Sequence, residues 1–431
     1  MATVRPFQGI LYDPKRVDLS QVLAPPYDVI GPADQRRYYR QDPHNVVRLI
    51  AGEVHPTDTP DDNKYTRAAG FFQQWLADGI LRREAGPGLY VYRHQFVDPI
   101  NGRERVRRGL LGVVELEPFG SGVLPHEQTH ARAKADRLSL TRAVVANLSP
   151  VFALYEDPAS SVGPIINPAI AAPPRLSITG EDGDHHTLWS ISGAEQFHDL
   201  AEVFSASRLY IADGHHRYET ALNFRNKQRQ DHPEASPDAA FNFVLMLLVD
   251  VAEPGLTILP THRLLHDFER FDAALVSRLA SRHRVTPRPD RAALLAAMQE
   301  PTAGHRIGIA LTPTRYVTVD VEHAGAGDPV SRLDVSVLHQ EILQREVGLQ
   351  PAELESERYL SYSRDVGGLL DRIETGAGQA AFLLRPPAVS DVVEVARAGQ
   401  VMPQKSTYFF PKPASGIVFN PLAADIRIGP V

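Results

Sequence analysis

Five consecutive residues, Asp213, Gly214, His215, His216 and Arg217, bring a carboxylate, a flexible backbone position, two imidazoles and a guanidinium into one turn. An apolar run over 209–212 precedes them and a helical stretch over 217–229 follows, so the sequence predicts strand, turn and helix in that order. The free N–H groups at a helix start attract anions, and a glycine lets a ligand approach the backbone closely. His215, His216 and Arg217 add donors and positive charge. The chemistry expected there is phosphate binding, with the Asp213 carboxylate near the helix cap, on Mg²⁺, or on the ring of a neighbouring histidine.

A second cluster, His126, Glu127, Gln128, Thr129 and His130, spells the zinc-hydrolase pattern in which two histidines hold the metal and the glutamate activates water. Pro125 breaks the chain just before it and no long apolar helical stretch leads in. A loop is therefore the stronger expectation, with Glu127 as general base or metal-linked carboxylate and His126 and Thr129 as phosphate or substrate ligands; the alternative is a helix cap made by Glu127 and Thr129. Phosphoryl transfer depends mainly on positive charge around the moving group. Lys134 and Arg137, three residues apart, either point together at a polyphosphate or lie on a solvated helix face. Lys405, in a proline-flanked tail with aromatics at 408–410, is expected on a strap over the site or in a packing strand. Asp28, after Pro25, Pro26 and Tyr27, either ligates Mg²⁺ or a substrate amino group, or forms a local turn. His262 and Arg263, after Thr261, suggest a clamp for a substrate carboxylate.

The elements that must position these groups follow from pattern and length. The 431 residues allow two or three lobes, expected at 1–267, 268–350 and 351–431, the last returning to the core. Helices are predicted over 33–40, 64–78, 131–145 and 194–205, an extended segment over 45–50, and an irregular excursion over 157–183. Strands over 89–97 and 107–119 meet at the hairpin signal Asn101-Gly102. Strands are also predicted over 150–155 and 186–192, with an apolar central strand over 241–251 and a partner over 255–265. The fold class is α+β, a mixed-sheet core carrying the strand-turn-helix phosphate site, plus a smaller α/β lobe. The net charge of −7 leaves no footprint for generic nucleic-acid binding. With no cysteine, thiolate catalysis, disulfides and cysteine-ligated metals are excluded. Without a signal peptide or a membrane-length apolar run, the expected location is the cytoplasm, and a homodimer is compatible with these features.

Seven blocks, at 25–30, 45–49, 126–129, 147–150, 212–221, 259–263 and 402–409, resemble in order the family catalogued as domain of unknown function 1015, from the N-terminus to about Leu422. The block from Asp213 to Arg217 is also similar to the phosphate-binding element of the ParB/sulfiredoxin superfamily. Sulfiredoxins carry a catalytic cysteine where this chain has His215, which excludes their chemistry. Free serine kinases of that superfamily imply a Mg²⁺-dependent phosphotransferase acting on L-serine, with pyrophosphate, ADP or ATP as donor, or the reverse reaction on phosphoserine. The family is similar to a frequent companion of serine-biosynthesis genes. In that implied reaction Arg217, His215 and His216 hold the donor phosphates, Asp213 holds Mg²⁺, and Glu127 accepts the hydroxyl proton. Two other classes stand beside it: a ParB-type nucleotide-binding regulator associated with DNA, and a metal hydrolase built on His126, Glu127 and His130.

Overall fold

The structure is a computed structural model that describes all residues except 129–130, 273, 303, 313, 323–326, 356–357 and 430–431; for 131–133 and 355 it describes the backbone alone. The chain forms two compact units, one of Met1–Pro125, Thr129–Thr257 and Pro411–Val431, the other of His126–Gln128 and Ile258–Phe410.

The first unit is built on a nine-stranded sheet. From one edge its strands are Val123–Leu124, Leu209–Asp213, Val151–Tyr155, Phe243–Asp250, Glu104–Glu115, Leu89–Val97, His185–Ile191 and Leu176–Thr179, with Val4–Arg5 beside Glu104–Glu115. Two pairs run parallel, Leu209–Asp213 with Val123–Leu124 and Phe243–Asp250 with Val151–Tyr155, and the others antiparallel. This mixed sheet with flanking helices is the α+β class that the alternation of strand and helix patterns predicts. Phe243–Asp250 is buried almost throughout, which is why it reads as a continuous apolar run rather than an alternating one. The hairpin between Leu89–Val97 and Glu104–Glu115 turns at Gly102, whose φ of +67° suits glycine.

Three expectations give way in the structure. The segment 45–50 is not extended: Asn45 accepts from the Val47 N–H at 2.9 Å, and Val47–Ile50 coils into a helical turn, since a short amide side chain competes for the backbone. The excursion 157–183 contains the helix Val162–Ile170 and the strand Leu176–Thr179. The Asp157 carboxylate accepts from the N–H groups of Ser161 and Val162, and Val162 and Ile166 are buried one turn apart, so local capping and spacing outweigh the proline-rich composition. The strand His262–Leu265 does not partner the central strand over 241–251.

It belongs to the second unit, in a six-stranded sheet ordered Arg284–Arg288, Arg315–Val321, His305–Leu311, Ala380–Leu383, His262–Leu265, Leu360–Ser363, antiparallel throughout. Helices Arg291–Gln299 and Val366–Glu374 cover one face through Leu294, Met298, Leu369, Leu370 and Ile373. Among the described residues, no helix is long and apolar enough to cross a membrane.

Candidate anion-binding site

In the first unit the strand Leu209–Asp213 is buried and apolar up to Asp213, its last residue. Gly214 then takes a left-handed conformation, φ +93° and ψ 27°, and the helix His215–Asp231 begins with no side chain capping it. A Cβ at position 214 would stand 3.0 Å from the Arg217 guanidinium, which would have to give slightly, so it is the left-handed conformation that favours glycine. Gly214, not Asp213, is the cap residue. Asp213 is drawn away from the capping role by two cations.

Oδ2 of Asp213 accepts from Arg217, and Oδ1 lies 2.6 Å from Nζ of Lys412, a residue carried back to this unit by the segment Pro411–Val431. Lys412 also pairs with Asp28, and Arg217 donates to the Pro150 carbonyl. Burial raises the Asp213 carboxyl, but Lys412 and then Arg217 outweigh it and hold the group at about 2. Burial lowers Lys412, and Asp213 followed by Asp28 reverses this and holds the ammonium above its ordinary value. Ion pairing therefore fixes the charges of this buried group.

Tyr27, next to Asp28 in the short helical turn Tyr27–Val29, lies with its ring 3.8 Å from the Arg137 guanidinium. Arg137 and Lys134 share the helix Ala131–Val144, which packs against His215–Asp231. They do not converge on one point. Arg137 donates to the Ile50 carbonyl at 2.7 Å and to Asp136, while Lys134 pairs with Glu219 at 3.1 Å. Burial raises Asp136, yet Arg137, Lys64 and Tyr65 hold it at about 2. A cavity of about 50 Å³ lies between Tyr27, Arg137, Ser149, Arg217 and Thr220. His215 is buried at the start of the helix and close enough to lower the Asp213 carboxyl further, and His216 follows it half-buried.

Asp28, Arg137, Asp213, Gly214, His215, His216 and Arg217 thus gather in one region of the first unit. Lys412, Tyr27 and Thr220 join them and were missed. Lys412 stands between two prolines seven residues after Lys405, and Tyr27 precedes Asp28 in the stiff Pro25-Pro26 block, so the flanking prolines were the available signal. Lys405 is exposed, and its carbonyl accepts from Arg263 at 3.2 Å. Asp213 is a correction. Both of its oxygens are engaged by cations, so Mg²⁺ there would have to displace Lys412 or Arg217, and the arrangement does not fit that ion. Asp28 meets an amino group, that of Lys412.

In the second unit His126 is buried, with Nε2 2.9 Å from the Thr407 hydroxyl, and its carbonyl accepts from the Met402 N–H. Glu127 follows, half-buried. Thr129 and His130 lie outside the described residues. Among the described residues, no group of three or more histidines and carboxylates could hold a metal ion. Arg263 is fully buried and donates to the carbonyls of Thr261, Gln404 and Lys405, while its buried Nε has no hydrogen-bond partner. His262 accepts from the Leu384 N–H at 3.2 Å, and burial, with the Arg263 charge, brings it down to about 4.

Among solved structures the chain is similar to a free serine kinase in complex with AMP, at 13% identity and a TM-score of 0.35, covering 69% of this chain and 86% of that one. It is also similar to a conserved hypothetical protein from Pyrococcus furiosus, at 14% identity and a TM-score of 0.33, covering 69% and 90%. SbnI from Staphylococcus aureus, truncated at its C-terminus, gives 11% identity and a TM-score of 0.34 over 71% and 85%. Likeness at this level assigns neither activity nor ligand. No curated protein matches the sequence. The family model described as protein of unknown function (DUF1015) matches residues 4–336, more than three quarters of the chain, and the chain belongs to that family.

Proposed function

We propose that this protein is a phosphotransferase acting on a small hydroxyl metabolite, with L-serine as the first candidate acceptor and pyrophosphate, ADP or ATP as the donor. The observation that carries it is the uncapped start of the 17-residue helix His215–Asp231 behind the left-handed Gly214, with the cations of Arg217 and Lys412 held there on Asp213. Helix-start N–H groups and two fixed cations in a buried setting suit a transferring phosphoryl group, whose charge is spread over its oxygens. Arg217, His215 and His216 hold the donor phosphates. Because Asp213 is occupied by cations, Arg217 and Lys412 neutralise the charge.

Glu127 accepts the proton as the hydroxyl oxygen bonds to phosphorus and the donor's bridging P–O bond breaks, the departing phosphate keeping the electron pair. Glu127 is named as the base because free serine kinases, which the Asp213–Arg217 block resembles, use a carboxylate for that role. The same groups serve the reverse reaction on phosphoserine. L-Serine is named from the likeness of the Asp213–Arg217 block to free serine kinases.

A ³¹P NMR assay with L-serine, pyrophosphate, ADP or ATP, run with Mg²⁺ and with a chelator, tests this. Phosphoserine should form with at least one donor, and Glu127→Gln should lose transfer while keeping donor binding, since Gln keeps the shape without the basic carboxylate. Wild-type protein that binds none of the donors and forms no phosphorylated product from serine or related hydroxy-metabolites would overturn the proposal.

A further inference from the structure

We infer that the cavity between Tyr27, Arg137, Arg217 and Thr220 is a subsite for one oxyanion, either a phosphate group or the carboxylate of an amino-acid acceptor. The choice between these two rests on the phosphotransfer reading; the oxyanion chemistry does not. Thr220 is 3% exposed, and its Oγ1 is buried with no hydrogen-bond partner. Helical threonines commonly bond to the carbonyl four residues earlier, which this one does not do. An orphaned buried hydroxyl calls for a ligand or an ordered water.

The two arginines on the same cavity have N–H groups to spare. A guanidinium carries five, of which Arg137 uses three, on Asp136 and Ile50, and Arg217 uses two, on Pro150 and Asp213. Ile50, Leu140, Leu148, Val151, Ala221 and Val244 supply the apolar part of the wall, and Thr141, Asn147 and Ser149 add polar side chains to it; the apolar part strengthens a charge-assisted bond made inside. At about 50 Å³ the space admits a few water-sized atoms, enough for one oxyanion and too little for a nucleoside.

Titration calorimetry on the full chain with inorganic phosphate and with L-serine tests the inference, using Thr220→Val and Thr220→Ser. Valine keeps the shape and removes the hydroxyl, so affinity for the oxyanion that occupies the cavity should fall about fivefold, the worth of one hydrogen bond, while Thr220→Ser retains it. Without ligand, the melting temperature of Thr220→Val should stay level or rise, because an unsatisfied group is gone. Loss for phosphate alone assigns a phosphate subsite, and loss for serine alone assigns the acceptor carboxylate. If both ligands bind Thr220→Val as they bind wild type, the cavity holds water only and the inference fails; it fails equally if wild type binds neither. Phosphate binding that Arg217→Ala abolishes and Thr220→Val leaves intact keeps the phosphate site at Gly214 while removing this one. A Thr220-dependent oxyanion site in a protein without transfer activity keeps the subsite and removes the phosphotransferase.

Discussion

His216-Arg217 and His262-Arg263 look alike as sequence, a histidine and an arginine at or just beyond a buried strand, yet their arginines end on different partners. The bonds of Arg263 end on the backbone carbonyls of Thr261, Gln404 and Lys405, and its guanidinium lies 5.2 Å from the Tyr362 ring. Arg217 gives one bond to a carbonyl and one to the Asp213 carboxylate, and it lines a cavity. A carbonyl that loses its buried donor is left unsatisfied, so the ties of Arg263 are structural. Asp213 also pairs with Lys412, so its charge keeps a partner when Arg217 is removed. What an arginine can do is decided by its partner's ability to lose it.

The sharpest way to break this contrast is to truncate each arginine. Arg217→Ala should lower phosphotransfer by about 10²–10³-fold, the scale for removing one charge-stabilising donor, measured by initial rates. Its cost in stability should be about 1–2 kcal/mol, because Asp213 retains Lys412. Arg263→Ala should cost about 3 kcal/mol in urea denaturation, from three carbonyls left without their charged donor, with phosphate affinity unchanged. Loss of phosphate binding in Arg263→Ala would erase the distinction. The two tail lysines give a smaller version of the same test. Lys412→Ala should cost about 2 kcal/mol by leaving Asp213 with a single counter-charge, whereas Lys405→Ala, at an exposed position, should stay within about 0.5 kcal/mol.

The turn itself was legible because its determinants are local. An apolar strand, one glycine needing positive φ and a run of donors are all present between Leu209 and Arg217, and the structure builds strand, turn and helix there. The hairpin at Gly102 was legible for the same reason. Lys412 was not, since nothing near it in sequence reports that the chain returns from the second unit to meet residues at 28 and 213. The buried row of His186, His94 and Arg107 escaped likewise. These three stand directly opposite one another on adjacent strands, a neighbourhood set by sheet register rather than by spacing along the chain. Partner identity also separated Arg217 from Arg263, and sequence alone shows the donor without its acceptor.

The pH dependence of stability carries the smallest and most specific form of the contrast. Asp213 titrates at about 2 in the folded chain, below its ordinary 3.8, because Lys412 and Arg217 outweigh burial. A carboxyl depressed by folding binds fewer protons folded than unfolded, so its stabilising contribution is complete above about pH 4 and is lost as pH falls toward 2. The shift corresponds to roughly 2 kcal/mol. Lys412→Met removes part of the depression while leaving Arg217 in place. Its deficit against wild type, read by urea denaturation at a series of pH values, should therefore be largest above pH 4 and shrink below it. Asp136, held low by Arg137, Lys64 and Tyr65, contributes to both proteins alike and cancels in the difference. Arg263→Ala shifts a different group: burial, helped by the Arg263 charge, holds His262 at about 4, below the ordinary 6.5, so the Arg263→Ala deficit should already shrink between about pH 6 and pH 4, before Asp213 titrates. A deficit in Lys412→Met that stays level down to about pH 2 would mean that Lys412 acts through packing of its stem rather than through charge, and the ion pair at Asp213 would lose its basis.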